Sequence, residues 1–325
     1  MRAPAFWAHD GVLPRLLSPL GALYAAATAR RVAQPGWRAP VPVICCGNAS
    51  VGGAGKTIVA LDLVTRLRAR GIDAQCLSRG HGGAHGRRTR GALRVDPALH
   101  DAAEVGDEAL LLADVAPTYV ATDRAAGARA AIADGATALV MDDGLQNPTL
   151  HKDVSFLVID GAAGFGNGRA IPAGPLREPV AAAAARCRAA VLIGPDRHGA
   201  TATLPPRLPV LAASLQPGPE IAAFVGRRAV AFAGIGRPEK FFTMLESAGV
   251  TLAARFAFPD HHRFSAAELS ALVATSAEHG AMLVTTPKDA ARLAPADRAR
   301  VSVIGVRLAW ADEAALEALL AGLVP

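Results

Sequence analysis

Short apolar runs alternate with amphipathic stretches along this chain, and the alternation predicts an α/β fold. Residues 41–46 and 137–141 are continuous apolar runs, typical of strands that are buried on both faces of a parallel sheet. Residues 57–70 instead carry apolar side chains at every third or fourth position and end before Gly71, as a helix does. Strands alternating with helices predict right-handed βαβ units, and hence a parallel sheet covered by helices.

The same pattern places the other elements and divides the chain. Further strands are predicted over residues 72–77, 118–122, 154–160 and 189–193, and further helices over 107–115, 124–133 and 181–185. Six prolines within residues 195–220 mark a boundary, so we expect one domain over 1–208 and a smaller α/β domain over 209–325. The second pattern predicts strands over 229–233, 251–256, 281–285 and 301–308, and helices over 238–247, 265–279, 288–293 and 313–323.

Residues 12–32 are predicted to form a helix at the surface. Arg15 and two prolines interrupt this apolar run, which is shorter than the ~20 clean apolar residues that a membrane span needs. Arg30 and Arg31 follow its Ala-rich part directly, which argues against an exported leader. The helix either lies on an anionic lipid surface or packs on the domain core. The residues alone leave both interpretations open.

Composition excludes disorder and raises the question of a negatively charged partner. Of 325 residues, 51% are hydrophobic and 19% charged, which suits a chain with a large buried core. The net charge is +6, the pI about 9.6 and the mean hydropathy +0.27. This combination suits nucleic acid, an anionic membrane surface or a polyanionic substrate. The four cysteines have no metal-binding spacing and favour buried, reduced thiols.

The strongest motif is Ser50-Val-Gly-Gly-Ala-Gly-Lys-Thr57, between a predicted strand and a predicted helix. It has the form of a P-loop, with Ser50 at the first glycine position. Such a loop turns backbone N–H groups toward phosphates, so it predicts a site for phosphate groups and Mg²⁺. The predicted phosphate-binding residues are Gly52, Gly53, Ala54, Gly55, Lys56 and Thr57, and Thr57 would also hold Mg²⁺. A chance glycine-rich turn is the alternative.

Acidic residues at predicted strand and helix ends are further candidates. Asp142 and Asp143 end the strand over 137–141, where a P-loop protein needs a carboxylate for Mg²⁺, although Asp-Gly is also a common turn. Asp107 opens a helix and is either a functional carboxylate or a cap. Asp260 beside His261 could orient an imidazole for proton transfer, or lie in a plain surface loop.

Two loops carry candidate anion-binding residues. Residues 77–94 hold five arginines, including Arg79, and no acid, so the loop either attracts phosphate or is simply solvated. Residues 161–179 follow a strand, and loops at the carboxyl ends of strands line the ligand crevice of such sheets. Arg177 and Glu178 are the charged candidates in this second loop.

Taken in order, these motifs resemble the tetraacyldisaccharide 4′-kinase (lipid A 4′-kinase) family over about residues 40–293. The motifs are the P-loop, Leu77-Ser-Arg-Gly80, Gly106-Asp-Glu108, Asp142-Asp-Gly-Leu-Gln146, Pro172-Ala-Gly-Pro-Leu-Arg-Glu-Pro179, Phe232-Ala-Gly-Ile-Gly236, Phe258-Pro-Asp-His261 and Thr285-Thr-Pro-Lys-Asp289. The resemblance implies a large P-loop NTPase-like kinase domain and a smaller α/β domain, with a two-stranded linker near residues 210–216 and 301–308.

The resemblance also implies the reaction and its place. The γ-phosphoryl of ATP would move to the 4′-hydroxyl of a tetraacylated glucosamine disaccharide 1-phosphate, giving lipid IVA. The enzyme would be peripheral, on the cytoplasmic face of the anionic inner membrane, with no nucleic acid and no obligate protein partner.

Residue roles follow from the resemblance by matching motifs. Asp107 is implied as the catalytic base, His261 as its support, and Lys56 as a phosphate ligand in catalysis. Asp142 and Asp143 are implied as the metal-site pair. Arg79, Gln146, Asn147, Arg177 and Glu178 are implied on the substrate side. Many members carry His where this chain has Asn147, so a titrating role at that position is not carried over.

Two other functions compete with the kinase. A membrane-bound P-loop switch ATPase of the ParA/MinD kind would carry a Lys before the Gly-Gly pair, where this chain has Val51. A nucleic-acid-binding NTPase suits the pI, but aromatic residues make up 5% of the chain and residues 79–94 contain none, so stacking surfaces are scarce.

Overall fold

The strands form two sheets in the computed structural model, which describes residues 4–85 and 91–322. The strands are β1 (Val43–Gly47), β2 (Ala74–Ser78), β3 (Leu93–Arg94), β4 (Thr118–Val120), β5 (Ala138–Asp142), β6 (Val154–Asp160), β7 (Ala189–Ile193), β8 (Val210–Pro217), β9 (Arg228–Ala233), β10 (Thr251–Ala257), β11 (Met282–Thr285), β12 (Ser302–Val303) and β13 (Val306–Trp310). The larger sheet has the order β13-β8-β7-β6-β1-β5-β2-β4-β3, and the smaller has the order β10-β9-β11-β12.

Helices lie between the strands, as the alternating pattern predicts. They cover Val12–Val32, Lys56–Ala69, Ala102–Val105, Asp107–Ala113, Arg124–Ala133, Val180–Ala184, Pro238–Ser247, Ala266–Glu278, Pro287–Ala290, Pro295–Arg298 and Glu313–Ala321. Short 3-10 helices cover Ala5–Ala8, Ala200–Thr203 and Pro219–Ala223. Capping boxes begin two of the α-helices, because Asp101 and Ser265 each exchange hydrogen bonds with a glutamate three residues later.

Strand direction in the larger sheet brings the candidate loops together. The run from β8 to β4 is parallel, and β13 and β3 pair antiparallel at the two edges. β1 lies between β5 and β6. The carboxyl ends of these three strands therefore meet at one edge of the sheet, where ligands bind in such folds.

The two faces of the larger sheet are both buried, which explains the continuous apolar runs. Ile44 and Cys46 of β1 belong to the core on the side of helix Lys56–Ala69, whereas Val43 and Cys45 belong to the core on the opposite face. The predicted α/β fold, a parallel sheet covered by helices, is confirmed. The cysteines are all free, and Cys187 alone is only partly buried.

The smaller sheet is parallel and has its own core on each face. Helix Pro238–Ser247 buries Phe241, Phe242 and Leu245 against one face. Helix Ala266–Glu278 buries Leu269 and Leu272 against the other. Residues 228–303 thus repeat the α/β architecture on a smaller scale.

The end of the chain returns to the larger sheet. The single strand expected over 301–308 is two strands in different sheets, β12 and β13, because the backbone leaves the smaller sheet at Ile304 and Gly305. β13 pairs antiparallel with β8, and β8 also pairs with β7 of the larger sheet. Helix Glu313–Ala321 then buries Leu316 and Leu320 in the core of the larger sheet. Residues 210–217 and 306–321, expected within the smaller domain, therefore lie with the larger sheet, and the boundary at 208 stays a prediction.

The N-terminal helix Val12–Val32 has one packed side and one exposed side. Pro14, Gly21 and Thr28 are buried, and a Cβ at Gly21 would lie 2.8 Å from the carbonyl oxygen of Ala170. The opposite side exposes five large apolar residues, which are Val12, Leu13, Leu16, Leu20 and Leu23. Within the described ranges, no helix is long and apolar enough to cross a membrane.

Candidate active site

The predicted P-loop connects β1 to helix Lys56–Ala69, which we call the P-loop helix. Gly52 and Gly55 have φ values of +118° and +87°, a backbone region that L side chains rarely adopt. A Cβ at Gly55 would also lie 2.6 Å from Cδ1 of Ile193. The glycines therefore set the shape of the loop, and the loop leads into a helix N-terminus whose free N–H groups suit phosphate.

The first half of the loop is held by residues 175–177. Ser50, at the position of the first P-loop glycine, lies outside the positive-φ region and forms a β-bridge with Leu176. The N–H of Val51 donates to the carbonyl of Pro175 at 2.8 Å, and the N–H of Arg177 donates to the carbonyl of Ala49 at 2.7 Å. Because Ser50 needs no positive φ, this departure from the P-loop pattern leaves the loop intact.

The P-loop side chains face the two acids that end β5. Nζ of Lys56 lies 3.6 Å from Oδ2 of Asp143, and the hydroxyl of Thr57 donates to Oδ2 of Asp142 at 2.8 Å. Oδ1 of Asp142 is buried and has no hydrogen-bond partner in the described part of the chain. A hydroxyl and a buried carboxylate with an unused oxygen are the hard ligands that Mg²⁺ prefers, so these residues fit the ion.

The two acids differ in their charge state. Burial raises the pKa of Asp142 to about 6, with Lys56 opposing the rise and the charge of Asp143 adding to it. Burial would also raise the pKa of Asp143, but Lys56 and Arg177 outweigh burial and lower it. Asp143 is thus a permanent anion at neutral pH, and Asp142 is the acid whose charge responds to pH near 6.

The two charged candidates of loop 161–179 form a network behind these acids. Arg177 donates to both carboxylate oxygens of Asp143, at 2.6 and 2.9 Å. Gln146 accepts from Arg177 at 3.3 Å and donates to Glu178 at 2.7 Å. Glu178 is buried and takes two further bonds from Arg186. The structure thus joins Gln146, Arg177 and Glu178 to the metal-site pair.

The other two substrate-side candidates lie apart from this network. Asn147 accepts from the N–H and hydroxyl of Thr149, at 3.0 and 2.8 Å, which fixes a local turn. The side chain of Arg79 is exposed and makes no hydrogen bond or ion pair within residues 4–85 and 91–322. Arg87, Arg88 and Arg90 of the same basic loop lie outside the described residues.

Asp107 lies at the start of helix Asp107–Ala113, where it is held from the smaller sheet. Nδ1 of His261 lies 2.8 Å from Oδ2 of Asp107, and Nε of Arg292 donates to the same oxygen at 2.8 Å. Burial would raise the pKa of Asp107, but the bonds from His261 and Arg292 outweigh burial and lower it to about 2. The predicted pair of Asp107 and His261 is therefore in contact, although 154 residues separate them.

Sequence reasoning missed the cations that meet this helix start. Lys288 lies 2.9 Å from Glu108 and Arg292 pairs with Asp107, so two neighbouring acids face two cations. Lys288 and Arg292 are four residues apart within the helix predicted over 288–293, a spacing that places two side chains on one side of a helix. That spacing was the available signal. Arg124, fully buried and bonded to the carbonyl of Asp143, was missed as well.

Backbone strain singles out the same two clusters. Among non-glycine residues of the described ranges, Asp143 and His261 have positive φ, +53° and +59°. This conformation costs an L residue roughly 1–2 kcal/mol. It persists because each side chain is held at its end, Asp143 by Arg177 and His261 by Asp107.

Comparisons with known proteins identify the family of this chain. The model of the tetraacyldisaccharide-1-P 4′-kinase family, LpxK, matches residues 13–324. The chain belongs to this family. It is 61% identical to the tetraacyldisaccharide 4′-kinase of Gluconacetobacter diazotrophicus over 98% of this chain and 97% of the relative. It is 56% identical to the tetraacyldisaccharide 4′-kinase of Rhodospirillum centenum over 100% of this chain and 97% of that one.

The LpxK fold is shared with a solved structure. LpxK from Aquifex aeolicus, in complex with ATP, superposes with a TM-score of 0.77 and 25% identity, covering 97% of this chain and 100% of that one. The predicted resemblance to the lipid A 4′-kinase family and the predicted P-loop kinase fold are both confirmed. The roles of the individual site residues stay predictions.

Proposed function

We propose that this LpxK family member transfers the γ-phosphoryl of ATP to the 4′-hydroxyl of tetraacyldisaccharide 1-phosphate, giving lipid IVA. The observation that carries the proposal is the presence of two clusters on the larger sheet of a chain of this family. Lys56 and Thr57 of the P-loop face the acids of β5, and Asp107 is held next to His261 at the start of a helix packed on the same sheet. One cluster suits a nucleotide, and the other suits an acceptor hydroxyl.

The P-loop cluster accounts for nucleotide and metal. The backbone of residues 52–55 and the ammonium of Lys56 would bind the phosphates of ATP. Thr57 and Asp142 would hold Mg²⁺, which when bound neutralises charge on the transferring phosphates. Lys56 and Arg177 both neutralise Asp143, so Asp143 can lie beside the phosphates with less repulsion. Gln146 and Glu178 keep Arg177 in this position.

Asp107 is suited to receive the proton of the 4′-hydroxyl. Its pKa of about 2 keeps it ionised at neutral pH, so it can accept a hydrogen bond from the attacking hydroxyl. The transition state of phosphoryl transfer is loose, and a weak base suffices when the proton leaves late. Nδ1 of His261 donates to the same carboxylate and fixes its orientation. Arg79 and Asn147 stay substrate-side predictions.

Direct transfer of labelled phosphate tests this function. Purified chain, Mg²⁺, γ-labelled ATP and tetraacyldisaccharide 1-phosphate should give a labelled lipid whose new phosphate is at the 4′ position. Adding a chelator should abolish the label if Mg²⁺ is required. A folded protein that leaves the disaccharide unlabelled while hydrolysing ATP would contradict the proposal, and hydrolysis stimulated by a protein partner would favour the switch ATPase instead.

We also propose that the N-terminal helix binds the anionic cytoplasmic face of the inner membrane. Five large apolar side chains lie exposed on one side of it, and Arg30 and Arg31 are exposed at its carboxyl end. An apolar stripe with a basic carboxyl end suits the interface of anionic lipid. The acceptor is an acylated lipid, so docking at the surface would bring the site to it.

Vesicle sedimentation tests this docking. The combined variant Leu16→Gln, Leu20→Gln and Leu23→Gln should bind phosphatidylglycerol vesicles at least about tenfold more weakly than the unmodified chain, because apolar insertion is lost. Leu99→Gln is the control, since Leu99 is at least as exposed as these leucines but lies outside the N-terminal helix. Unchanged sedimentation of the combined variant would show that the helix serves packing alone.

A further inference from the structure

Arg292 is a buried arginine that joins the two sheets. Its side chain is 3% exposed. Nε and Nη2 both donate to Oδ2 of Asp107, the former at 2.8 Å. Nη1 donates to the carbonyl of Gly234 and to Oδ1 of Asp289, both at 2.9 Å. An arginine that is buried with every nitrogen bonded has one accessible geometry, because its donors form a rigid fork.

The anchor of Arg292 is itself fixed. Asp289 is fully buried and accepts from the hydroxyl of Thr286 at 2.7 Å and from the N–H of Gly234 at 3.0 Å. The carbonyl of Gly234 accepts from Arg292 and also from the backbone N–H of His261, at 3.1 Å. The two groups that hold Asp107 therefore share one anchor on the smaller sheet.

The bonds to Asp107 are asymmetric. His261 and Arg292 both approach Oδ2, whereas Oδ1 has no hydrogen-bond partner among residues 4–85 and 91–322. A carboxylate held through one oxygen keeps a fixed plane, and its other oxygen stays available as an acceptor. The protein thus determines which oxygen is presented.

We propose that Arg292 is a positioning residue for the phosphoryl transfer. It fixes the Asp107 carboxylate through Oδ2, so that Oδ1 faces the acceptor hydroxyl only when the smaller sheet is docked. The inference rests on the proposed function, since Asp107 is the base in that reaction. Arg292 itself touches neither acceptor nor nucleotide in this role, and it acts through Asp107.

The other charges around Asp107 cannot replace Arg292. Lys288 is paired with Glu108 at 2.9 Å. On the far side of His261, Asp260 lies 3.8 Å from Nε2, and the ring of His81 lies 6.5 Å from the His261 ring. Removing Arg292 therefore leaves Asp107 with His261 as its direct partner and with a weaker positive field.

Turnover of three variants tests the positioning role. Arg292→Met should lower kcat about 10²-fold with the KM for ATP changed less than about threefold, because misplacing a catalytic group affects the chemical step. Arg292→Lys should recover part of the loss, since it restores charge without the fork. Arg298→Met is the matched control. Arg298 pairs at 3.5 Å with Asp114, the residue directly after helix Asp107–Ala113, and its side chain is exposed. It should stay within about twofold of the unmodified chain.

The titration of Asp107 separates positioning from folding. Removing a cation raises a carboxylate pKa, so the pKa of Asp107 should be higher by about one in Arg292→Met and by less in Arg292→Lys. A purely structural role would leave that pKa in place. Carbon-13 titration of the aspartate carboxyls, with Asp107→Asn identifying the signal, measures the pKa without turnover.

The outcomes are distinct. The inference would be overturned if the unmodified chain is active, Arg292→Met has the same turnover as Arg298→Met, and the carboxyl titration of Asp107 is the same in Arg292→Met as in the unmodified chain. An unmodified chain that transfers no phosphate would overturn the proposed function, and the carboxyl titration would still decide whether Arg292 controls Asp107. Circular dichroism checks that each variant is folded, and Arg292→Lys keeps the test usable if Arg292→Met is not.

Discussion

The two clusters of the candidate site are built in different ways. Lys56 and Thr57 begin the P-loop helix, which follows β1, and Asp142 and Asp143 end the adjacent strand β5, so all four belong to the larger sheet. Asp107 also lies with the larger sheet, but the groups that hold it, His261 and Arg292, come from the smaller one. The first cluster is complete within one sheet, whereas the second exists only while the two sheets are in contact. Nucleotide binding and base positioning should therefore be separable.

Lys56→Ala should give the largest effect, because it breaks the first cluster alone. Loss of the ammonium removes stabilisation of the transferring phosphate and should lower kcat roughly 10³-fold in the phosphate-transfer assay. The carboxyl titration of Asp107 should be unchanged, since its partners lie in the other cluster. A shift of that titration in Lys56→Ala would mean that the clusters are coupled more tightly than the contacts indicate.

Asp107→Asn should break the second cluster and spare the first. We expect kcat to fall about 10²-fold, the loss typical of removing a general base, with little change in ATP affinity. A fluorescent ATP analogue measures that affinity, and Asp114→Asn on the same segment is the control. Collapse of ATP binding with kcat preserved would show that Asp107 is not the base.

The stability of Asp107→Asn should depend on pH in a defined direction. The folded pKa of about 2 lies below the ordinary value of 3.8, so the charge of Asp107 stabilises the protein above about pH 4. That contribution is lost as pH falls through 4 toward 2. At pH 7, urea unfolding should give Asp107→Asn a free energy of unfolding roughly 3 kcal/mol lower than that of the unmodified chain, the typical loss from a broken buried pair. Near pH 2 this difference in stability should become smaller. A stability difference that does not change with pH would contradict the lowered pKa of Asp107.

The smallest effect should be a pH dependence confined to the first cluster. Asp142 has a pKa raised to about 6, so it is mostly ionised at pH 7 and mostly protonated at pH 5. Mg²⁺ competes with that proton, and apparent Mg²⁺ affinity should fall about tenfold between these pH values. Asp142→Asn should bind Mg²⁺ weakly and without this dependence. The titration of Asp107 lies well below this range and should not contribute.

The sequence predicted the first cluster better than the second for a physical reason. The P-loop residues lie within eight positions of one another, and Asp142 and Asp143 end a strand whose apolar run is unmistakable. Arg292 lies 185 residues from Asp107, and nothing in its local pattern says which acid it meets. His261 was found through its family motif, since a lone histidine beside an aspartate has no distinctive pattern.

The same limit explains why the strand predicted over 301–308 was placed wrongly. Residues 301–308 form a single apolar stretch, and periodicity gives no sign that Ile304 and Gly305 carry the chain from one sheet to another. The N-terminal helix shows the opposite case. Its two proposed uses, packing and surface contact, concerned different sides of one helix, and the structure shows a packed side and an exposed side.

The pairing of β8 with β13 has a consequence for engineering. Val306 lies opposite Pro217 in the register of these strands, so the chain leaves the larger sheet and re-enters it at neighbouring positions. Residues 218–305 are thus topologically an insertion in a β-hairpin, and a short turn could close the gap that their excision leaves. Such a shortened chain would keep the P-loop, both acids of β5 and Asp107, and would lack His261 and Arg292. ATP binding and ATP hydrolysis by this shortened chain would show how much of the reaction the larger sheet performs by itself.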